Sequence, residues 1–427
     1  MSDFYSMLIA AENRPQADRE RIQFQALSDQ VKHAQQTSAA FAEILAGVQA
    51  ATVTSRAALA NLPVTRKTEL LDRQKAARLA LGQVKTGNVF GGFSSITFGA
   101  QMPRVFASPG TIYEPEGKQL DYWRMARALS AAGFKAGDLI HNCFSYHFTP
   151  AGSMMESGAH ALGCTVFPAG TGQTEQQVQA MAELKPAGYV GTPSFLKIIL
   201  EKAAEMGVAL PSVTKAMVSG EACPPSLRDW FAERGVTTYQ CYATADLGLI
   251  AYETSAREGL VIDEGVIVEI VTPGTGDPVP EGEVGELVVT TFNTDYPLIR
   301  FGTGDLSAVL PGNCPSGRTN TRIKGWMGRA DQTTKIRGMF VHPSQVATIA
   351  KRFPDVVKAR LVVSGEMADD RMTLQVEAAK HIETEDLLEK INEAIRDVTK
   401  LRGSVAFFAP GSLPNDGRVI EDARSYK

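Results

Sequence analysis

An α/β protein is predicted, with a large multi-sheet N-terminal domain built of βα units, a small β-rich subdomain within it, and a small α+β C-terminal domain. Three observations carry this reading. From about Gly137 to Tyr242, short apolar runs alternate with longer stretches of helical periodicity. Between Gly259 and Thr291 the helical pattern stops. From about Gln332 the chain takes up a βαββαβ-like rhythm of its own. Repeated βα units of this size argue for a largely parallel sheet with helices on its faces.

Taken in order, the first hundred residues read as mainly helical, with apolar positions at helical spacing near Phe24, Ala26, Leu27 and Val31. Pro63-Val64-Thr65-Arg66-Lys67 reads as a turn before another helix. Strands are expected at Asp138–Asn142, Thr165–Phe167, Gly188–Gly191, Ala216–Val218 and Thr237–Tyr242. Helices are expected at Ser153–Leu162 and Thr174–Leu184, and from Ser194 and Pro225. Gly265–Val271 and Glu286–Thr290 are strands joined by a Pro/Gly-rich turn. Near the end, Met372, Leu374 and Val376 alternate as in a half-buried strand, and Leu387, Leu388, Ile391, Ile395 and Val398 form a helical stripe. The expected division is 1–330 for the large domain and 331–427 for the small one, with Ala330-Asp331-Gln332 between them.

Composition bounds the function. At 427 residues and 44% hydrophobic content, the chain can bury more than one core. A net charge of −4 leaves no basic footprint, so no nucleic-acid partner is expected. No apolar run reaches membrane-spanning length and nothing resembles a secretory signal, so a soluble cytoplasmic protein without a membrane partner is expected. Cys143, Cys164, Cys223, Cys241 and Cys314 are odd in number and scattered, which suits reduced thiols rather than disulfides or a zinc site.

Chemistry is expected in the loops after the parallel strands, because ligands of such sheets sit beyond the strand C-terminal ends. Late in the chain, Phe301-Gly302-Thr303-Gly304-Asp305-Leu306 and Gly328-Arg329-Ala330-Asp331-Gln332-Thr333-Thr334-Lys335-Ile336-Arg337-Gly338 set two aspartates and three cations among glycines. A carboxylate can accept both hydroxyls of a ribose, and Arg and Lys neutralise phosphate oxygens. The plainer alternative is a pair of solvated surface turns. Tyr239-Gln240-Cys241-Tyr242-Ala243-Thr244-Ala245-Asp246 ends a strand with an aromatic that can cover an adenine face and a carboxylate that can hold Mg²⁺; a helix-capping Asp is the plain alternative.

These blocks resemble the motifs of the adenylate-forming enzymes (acyl-CoA synthetases and their relatives), and Val341-His342-Pro343-Ser344-Gln345-Val346 resembles the phenylacetate–CoA ligase branch. The resemblance runs from about Arg104 to the C-terminus. It implies that 1–330 is an adenylate-binding domain and 331–427 a mobile cap that swings about Asp331. It further implies that Asp305 clamps the ribose, that Arg329 and Lys335 belong to the nucleotide site, and that Tyr242, Ala243 and Asp246 lie at adenine and Mg²⁺. Gly220, Glu221 and Ala222 of Ser219-Gly220-Glu221-Ala222 match the adenine-side loop. Tyr146, His147, Phe148 and Thr149, with Gly172 of Gly170-Thr171-Gly172-Gln173-Thr174, match the acyl pocket. His147 has the alternative of a hydrogen-bonded core imidazole.

Two departures stand out. The family's phosphate loop reads Ser-Ser-Gly-Thr-Thr-Gly-Lys-Pro, where this chain has Ser108-Pro109-Gly110-Thr111-Ile112-Tyr113-Glu114-Pro115. Ser108, Gly110 and Thr111 keep part of it, while Tyr113 and Glu114 replace a glycine and a lysine. Glu114 is expected to turn outward, since inward it would repel a triphosphate. Arg418 stands where the family's adenylation lysine belongs, keeping the charge without the compact ammonium.

The function implied is an AMP-forming ligase that joins an acyl or aryl acid to coenzyme A through an acyl-adenylate, using ATP and Mg²⁺. The acceptor is CoA or a carrier-protein thiol, and a homodimer is compatible with the resemblance. The two alternatives are an ATP-independent acyltransferase between thioesters and a non-catalytic nucleotide-binding protein.

Overall fold

The computed structural model describes residues 7–424 apart from 9, 80–88, 109–110, 222, 333, 337–338, 366–369, 379–384 and 415–417, and the backbone alone of Asp331, Lys335, Met339 and Phe340. These residues form two compact units. The larger holds residues up to Thr272, Gly276–Thr303 and Ala308–Gly325; the smaller holds Pro273–Thr275, Gly304–Ser307 and Trp326 onward.

After a short helical stretch at residues 10–12, the larger unit has helix α1 (Gln16–Thr37), which buries Leu27, Val31 and Ala34 on one face. Strand β1 (Thr65–Arg66) and helix α2 (Lys67–Leu79) follow. The expected turn at Pro63–Lys67 is thus partly a strand: Thr65 and Arg66 pair in parallel with Phe301 and Gly302, a partner too distant in sequence for local pattern to reveal. A hairpin, β2 (Arg104–Ser108) and β3 (Ile112–Glu116), leads to α3 (Ala126–Ala131).

The βα units then run as β4 (Leu139–Asn142), α4 (Ala151–Ala161), β5 (Thr165–Phe167), α5 (Thr174–Leu184), β6 (Gly188–Gly191), α6 (Pro193–Glu205), β7 (Lys215–Val218), α7 (Pro225–Ala232) and β8 (Thr237–Thr244). Their spacing fits the sequence: each strand is a short apolar run, and Pro193 and Pro225 open their helices at the first position, where a missing N–H costs nothing. The five strands pair in parallel in the order β5-β4-β6-β7-β8. Chain order therefore reverses between β4 and β6, the switch point at which such sheets leave a crevice beyond their carboxyl ends. The sheet continues antiparallel through β9 (Gly248–Tyr252), β10 (Leu260–Ile262), β15 (Arg322–Ile323) and β14 (Val309–Leu310).

The β-rich stretch forms a second sheet, β1-β13-β12-β11, from β11 (Val266–Val271), β12 (Gly285–Thr291) and β13 (Phe301–Ser307). One core lies between this sheet and the N-terminal helices, including Leu27, Phe41, Phe93, Leu287 and Phe301. A second, including Val178, Tyr189, Leu196 and Val218, lies beneath one face of the parallel strands.

The smaller unit runs ββαββαββ, two strands richer than the expected rhythm. Strands β16 (Thr334–Ile336) and β17 (Met339–Val341) make a hairpin. After α8 (Pro343–Lys351), the strands β18 (Lys358–Ser364), β19 (Arg371–Glu377), β20 (Ser404–Phe408) and β21 (Ile420–Asp422) form a sheet in the order β20-β19-β18-β21, with α9 (Glu385–Thr399) between β19 and β20. Met372, Leu374 and Val376 face its core together with Ile391 and Ile395, while Leu388 is 39% exposed. No helix among the described residues is long and apolar enough to cross a membrane. All five cysteines are buried and free.

Candidate active site

Hairpin β2–β3 fixes the phosphate-loop segment. Side chains alternate across a strand, so Ile112 and Glu114 face inward on β3 while Tyr113 faces out, half-buried under the Arg78 guanidinium, 5.4 Å from the ring centroid. The Gln74 side chain of α2 brackets Tyr113 like a strand partner: its Nε2 donates to the Tyr113 carbonyl and its Oε1 accepts from the Tyr113 N–H, both at 2.8 Å. Thr111, exposed, has a left-handed backbone (φ 60°) and a carbonyl that accepts from Arg78. Gly110 lies outside the described residues.

Glu114 is not turned outward, contrary to the sequence expectation; strand alternation buries it. Ser108, also buried, donates through Oγ to Glu114 Oε1 at 2.5 Å. Asp246, likewise buried, accepts from Lys67 Nζ through Oδ2 at 3.0 Å. Burial, then the charge of Asp246, pushes the Glu114 carboxyl well above the usual carboxylate range, with Ser108 and Lys67 opposing. Glu114 Oε2 and Asp246 Oδ1 are both buried without a hydrogen-bond partner. Tyr296 is buried nearby; burial, then Asp246 and Glu114, holds its phenol neutral.

Asp246 does not cap a helix. It sits in the turn from β8 into β9, and the pairing register slips between Tyr242 and Ala243. Such a bulge re-aims side chains at a strand end; Tyr242 and Ala243 are half-buried there. A single carboxylate with one buried oxygen lacking a partner suits Mg²⁺ carried in on nucleotide phosphates, since the protein usually gives that ion only one or two carboxylates. Among the described residues no group of three metal-ligating side chains exists.

The other loops sit at neighbouring strand ends. Gly220 follows β7 with φ +81°, where a side chain would be strained. Ser219 Oγ donates to the Cys241 carbonyl of β8 at 2.8 Å. Glu221 is exposed and its Oε2 accepts from the Ser194 N–H at the start of α6 at 3.3 Å; Ala222 lies outside the described residues.

After β4, Tyr146 donates to Glu156 and accepts from Asn142 Nδ2, each at 2.8 Å. Burial, then the Glu156 carboxylate, keeps its phenol protonated. His147 is exposed, so the core-imidazole alternative falls. Phe148 is 81% exposed with φ 60°, and its carbonyl accepts from Ala107 N of β2 at 2.8 Å, tying this loop to the hairpin. Thr149 N donates to the His147 carbonyl. Gly172 is exposed, with φ +77° and open space where a Cβ would be.

The remaining candidates belong to the smaller unit. Asp305 Oδ1 accepts from Trp326 Nε1 at 3.0 Å and from Arg329 Nη1 at 3.3 Å. Asp331 lies in a short 3₁₀ turn, Ala330–Gln332, and Lys335 on β16. Arg418 is exposed next to β21. The turn before it is tied down by Glu377, which accepts from the Gly411 and Leu413 N–H groups; these bonds hold its carboxyl below the usual range.

Sequence reasoning did not single out Lys67 or Tyr296. Their partners lie far along the chain, and the adjacent cations Arg66-Lys67 are the only signal the sequence offers for the first.

A family model described as "AMP-binding enzyme" matches residues 120–294, and one described as "AMP-binding enzyme C-terminal domain" matches residues 338–422. A phenylacetate-coenzyme A ligase of Thermus thermophilus is 31% identical over 370 residues, covering 82% of this chain and 79% of the relative. One from Aromatoleum evansii is 29% identical over 403 residues, covering 89% and 87%. Among solved structures, an open conformation of 2-hydroxyisobutyryl-CoA ligase in complex with 2-HIB-AMP and CoA matches with a TM-score of 0.82 at 23% identity, over 96% of this chain and 93% of that one. With two family models along its length, relatives spanning most of it and the fold in common, the chain belongs to the AMP-binding, adenylate-forming enzymes.

Proposed function

We propose that this protein is an AMP-forming ligase of an acyl or aryl acid with coenzyme A. The observation that carries the reading is the set of family motifs on the carboxyl-end loops of one parallel sheet, with Ser108, Lys67 and Asp246 grouped around the phosphate hairpin. Relatives named as phenylacetate-CoA ligases over most of the chain support it.

In the first half-reaction, a carboxylate oxygen of the acid attacks the α-phosphorus of ATP and the bond to pyrophosphate breaks, leaving an acyl-adenylate. In the second, the CoA thiol loses its proton, its sulfur attacks the acyl carbon, and AMP leaves. The protein's part is positioning and charge stabilisation. Lys67 brings to the phosphate hairpin the positive charge that Glu114 does not. Asp246 would hold Mg²⁺, which neutralises phosphate charge when bound. Tyr242, Gly220 and Glu221 border the adenine, Asp305 accepts the ribose hydroxyls, with Arg329 and Lys335 beside the nucleotide, and Arg418 meets the α-phosphate during adenylation. Asp331 serves as the hinge between the half-reactions. Tyr146 to Thr149 and Gly172 line the acid pocket, which accommodates an aromatic or aliphatic acid.

A panel of carboxylic acids assayed for AMP and pyrophosphate release, with and without CoA, tests this. Acid-dependent AMP formation supports the ligase. Acyl exchange between thiols without ATP, and no AMP from any acid, would put a transferase in its place.

A further inference from the structure

Between β5 and α5 the chain makes an exposed turn at Gly170-Thr171-Gly172-Gln173 in which three of the four residues are left-handed: Gly170 at φ 67°, Gly172 at 77° and Gln173 at 52°. Nothing lies within 4 Å of where a Cβ on either glycine would be, so close packing does not explain the glycines. The positive φ itself accounts for the two glycines; at Gln173 the same backbone is sparsely populated and persists only where the surroundings over-determine it.

Here the surroundings are one buried side chain. Gln177, in the second turn of α5, aims its Nε2 at the carbonyls of Ala169 (3.3 Å), Gly170 (3.2 Å) and Gly172 (3.1 Å). That commits the amide nitrogen to the turn and points Oε1 at β4, where it stands 2.6 Å from His141 Nε2 and accepts from Cys143 Sγ at 3.7 Å. An amide oxygen can only accept, so His141 carries its proton on Nε2. The imidazole is fully buried, stacked on Phe167 at 5.2 Å, and burial lowers its pKa, keeping it neutral. The adjacent Asn142 carbonyl accepts from Gly170 N at 2.9 Å, and Asn142 Nδ2 donates to Tyr146. Two neighbouring residues of β4 thus reach the loops after β4 and β5, which lie on the same side of the switch point.

We infer that Gln177, oriented by His141, is a positioning residue for the acid pocket, fixing the Thr171–Gly172 segment as one wall and so selecting acids by size. This rests on the ligase reading for what the wall faces, and on hydrogen bonding alone for the anchor itself.

Two measurements test it. Gln177→Met keeps length but removes both N–H donors. In a variant that retains the wild-type circular dichroism, it should raise the KM for the acid tenfold or more, leave the KM for ATP within about twofold, and flatten discrimination between acids differing by one or two methylenes. His141→Gln, which keeps an N–H donor, should disturb the acid KM less than His141→Phe. Hydrogen exchange in the full chain should speed at residues 170–173 in Gln177→Met, whatever the activity. Unchanged exchange there, or equal losses of acid and ATP affinity, would overturn the inference. Should the wild type form no acyl-adenylate, the ligase reading fails, and with it the pocket role; the exchange result still decides whether Gln177 anchors the turn.

Discussion

The Asp305 side chain is 13% exposed and receives hydrogen bonds on one oxygen from both an indole and a guanidinium, so its carboxylate is held in one orientation. Preorganisation of this kind lowers the ordering cost of binding. Asp305→Ala should weaken AMP binding by about 1.5–3 kcal/mol, the scale of hydrogen bonds to a charged group. Calorimetry showing equal affinity in a folded variant would remove Asp305 from the site. Trp326, 57% exposed and bonded to Asp305, should report the same event as a change in tryptophan fluorescence on adding AMP. Arg418 tests the other half of the chemistry. Arg418→Ala should slow adenylation by about 10²-fold, the cost of losing one donor to a developing charge. Arg418→Lys should keep or raise the rate. Thioester formation from synthetic acyl-adenylate should survive both changes, and its parallel loss would point to damage beyond the adenylation step.

Lys67, the first residue of α2, reaches Asp246 of the β8–β9 turn, so a helix start and a strand end are joined at the phosphate hairpin. Lys67→Met should raise the KM for ATP at least tenfold while AMP affinity changes less than threefold, because only the lost β- and γ-phosphates would need the ammonium. It also leaves a buried carboxylate without its cation, which should cost about 1–3 kcal/mol of stability. Equal loss of ATP and AMP affinity would place Lys67 outside the phosphate region. At this scale the sequence was most legible where structure is local. The βα units from β4 to β8 follow their periodicity closely, and α5 spans Thr174–Leu184 as read. Asp246 and the acyl-pocket segment were singled out by motifs after strands, and they lie in the turn after β8 and the loop after β4, whereas Asp305 lies within β13. What could not be read was long-range. The pairing of Thr65 with Phe301 and the contact of Lys67 with Asp246 depend on tertiary approach, and the inward Glu114 depends on which hairpin face meets the core.

At the scale of the whole larger unit, buried charge ties sequence-distant segments together. Glu12 accepts from Tyr252 and Arg318, Arg19 pairs with Glu264, and Asp263 with both Arg124 and Arg127. Asp121 lies beside this network, accepting from Ala126 N at the start of α3. Burial pushes it up to about 7, against the Ala126 bond and Arg124. A carboxyl whose folded pKa is raised stabilises the fold while protonated, so its contribution is present below about pH 4 and is lost as pH rises to about 7. Asp121→Asn, neutral at every pH and tolerant of the φ of 52° there, should remove that slope. Its stability advantage over wild type should widen from pH 4 to pH 7 and then level, reaching on the order of a few kcal/mol. Thermal midpoints that run parallel across this range would show that Asp121 titrates normally.

The reversal of strand order between β4 and β6 has an evolutionary corollary. Loops assigned to the acid follow β4 and β5, on one side of the crevice; loops assigned to the nucleotide follow β7 and β8, on the other. On these assignments, substrate range would be written into one stretch, about residues 143–173, and the adenylation chemistry into the segments before and after it. A lineage can exchange the first as a cassette and inherit the others intact, with the Ala107–Phe148 backbone bond as the seam to be matched.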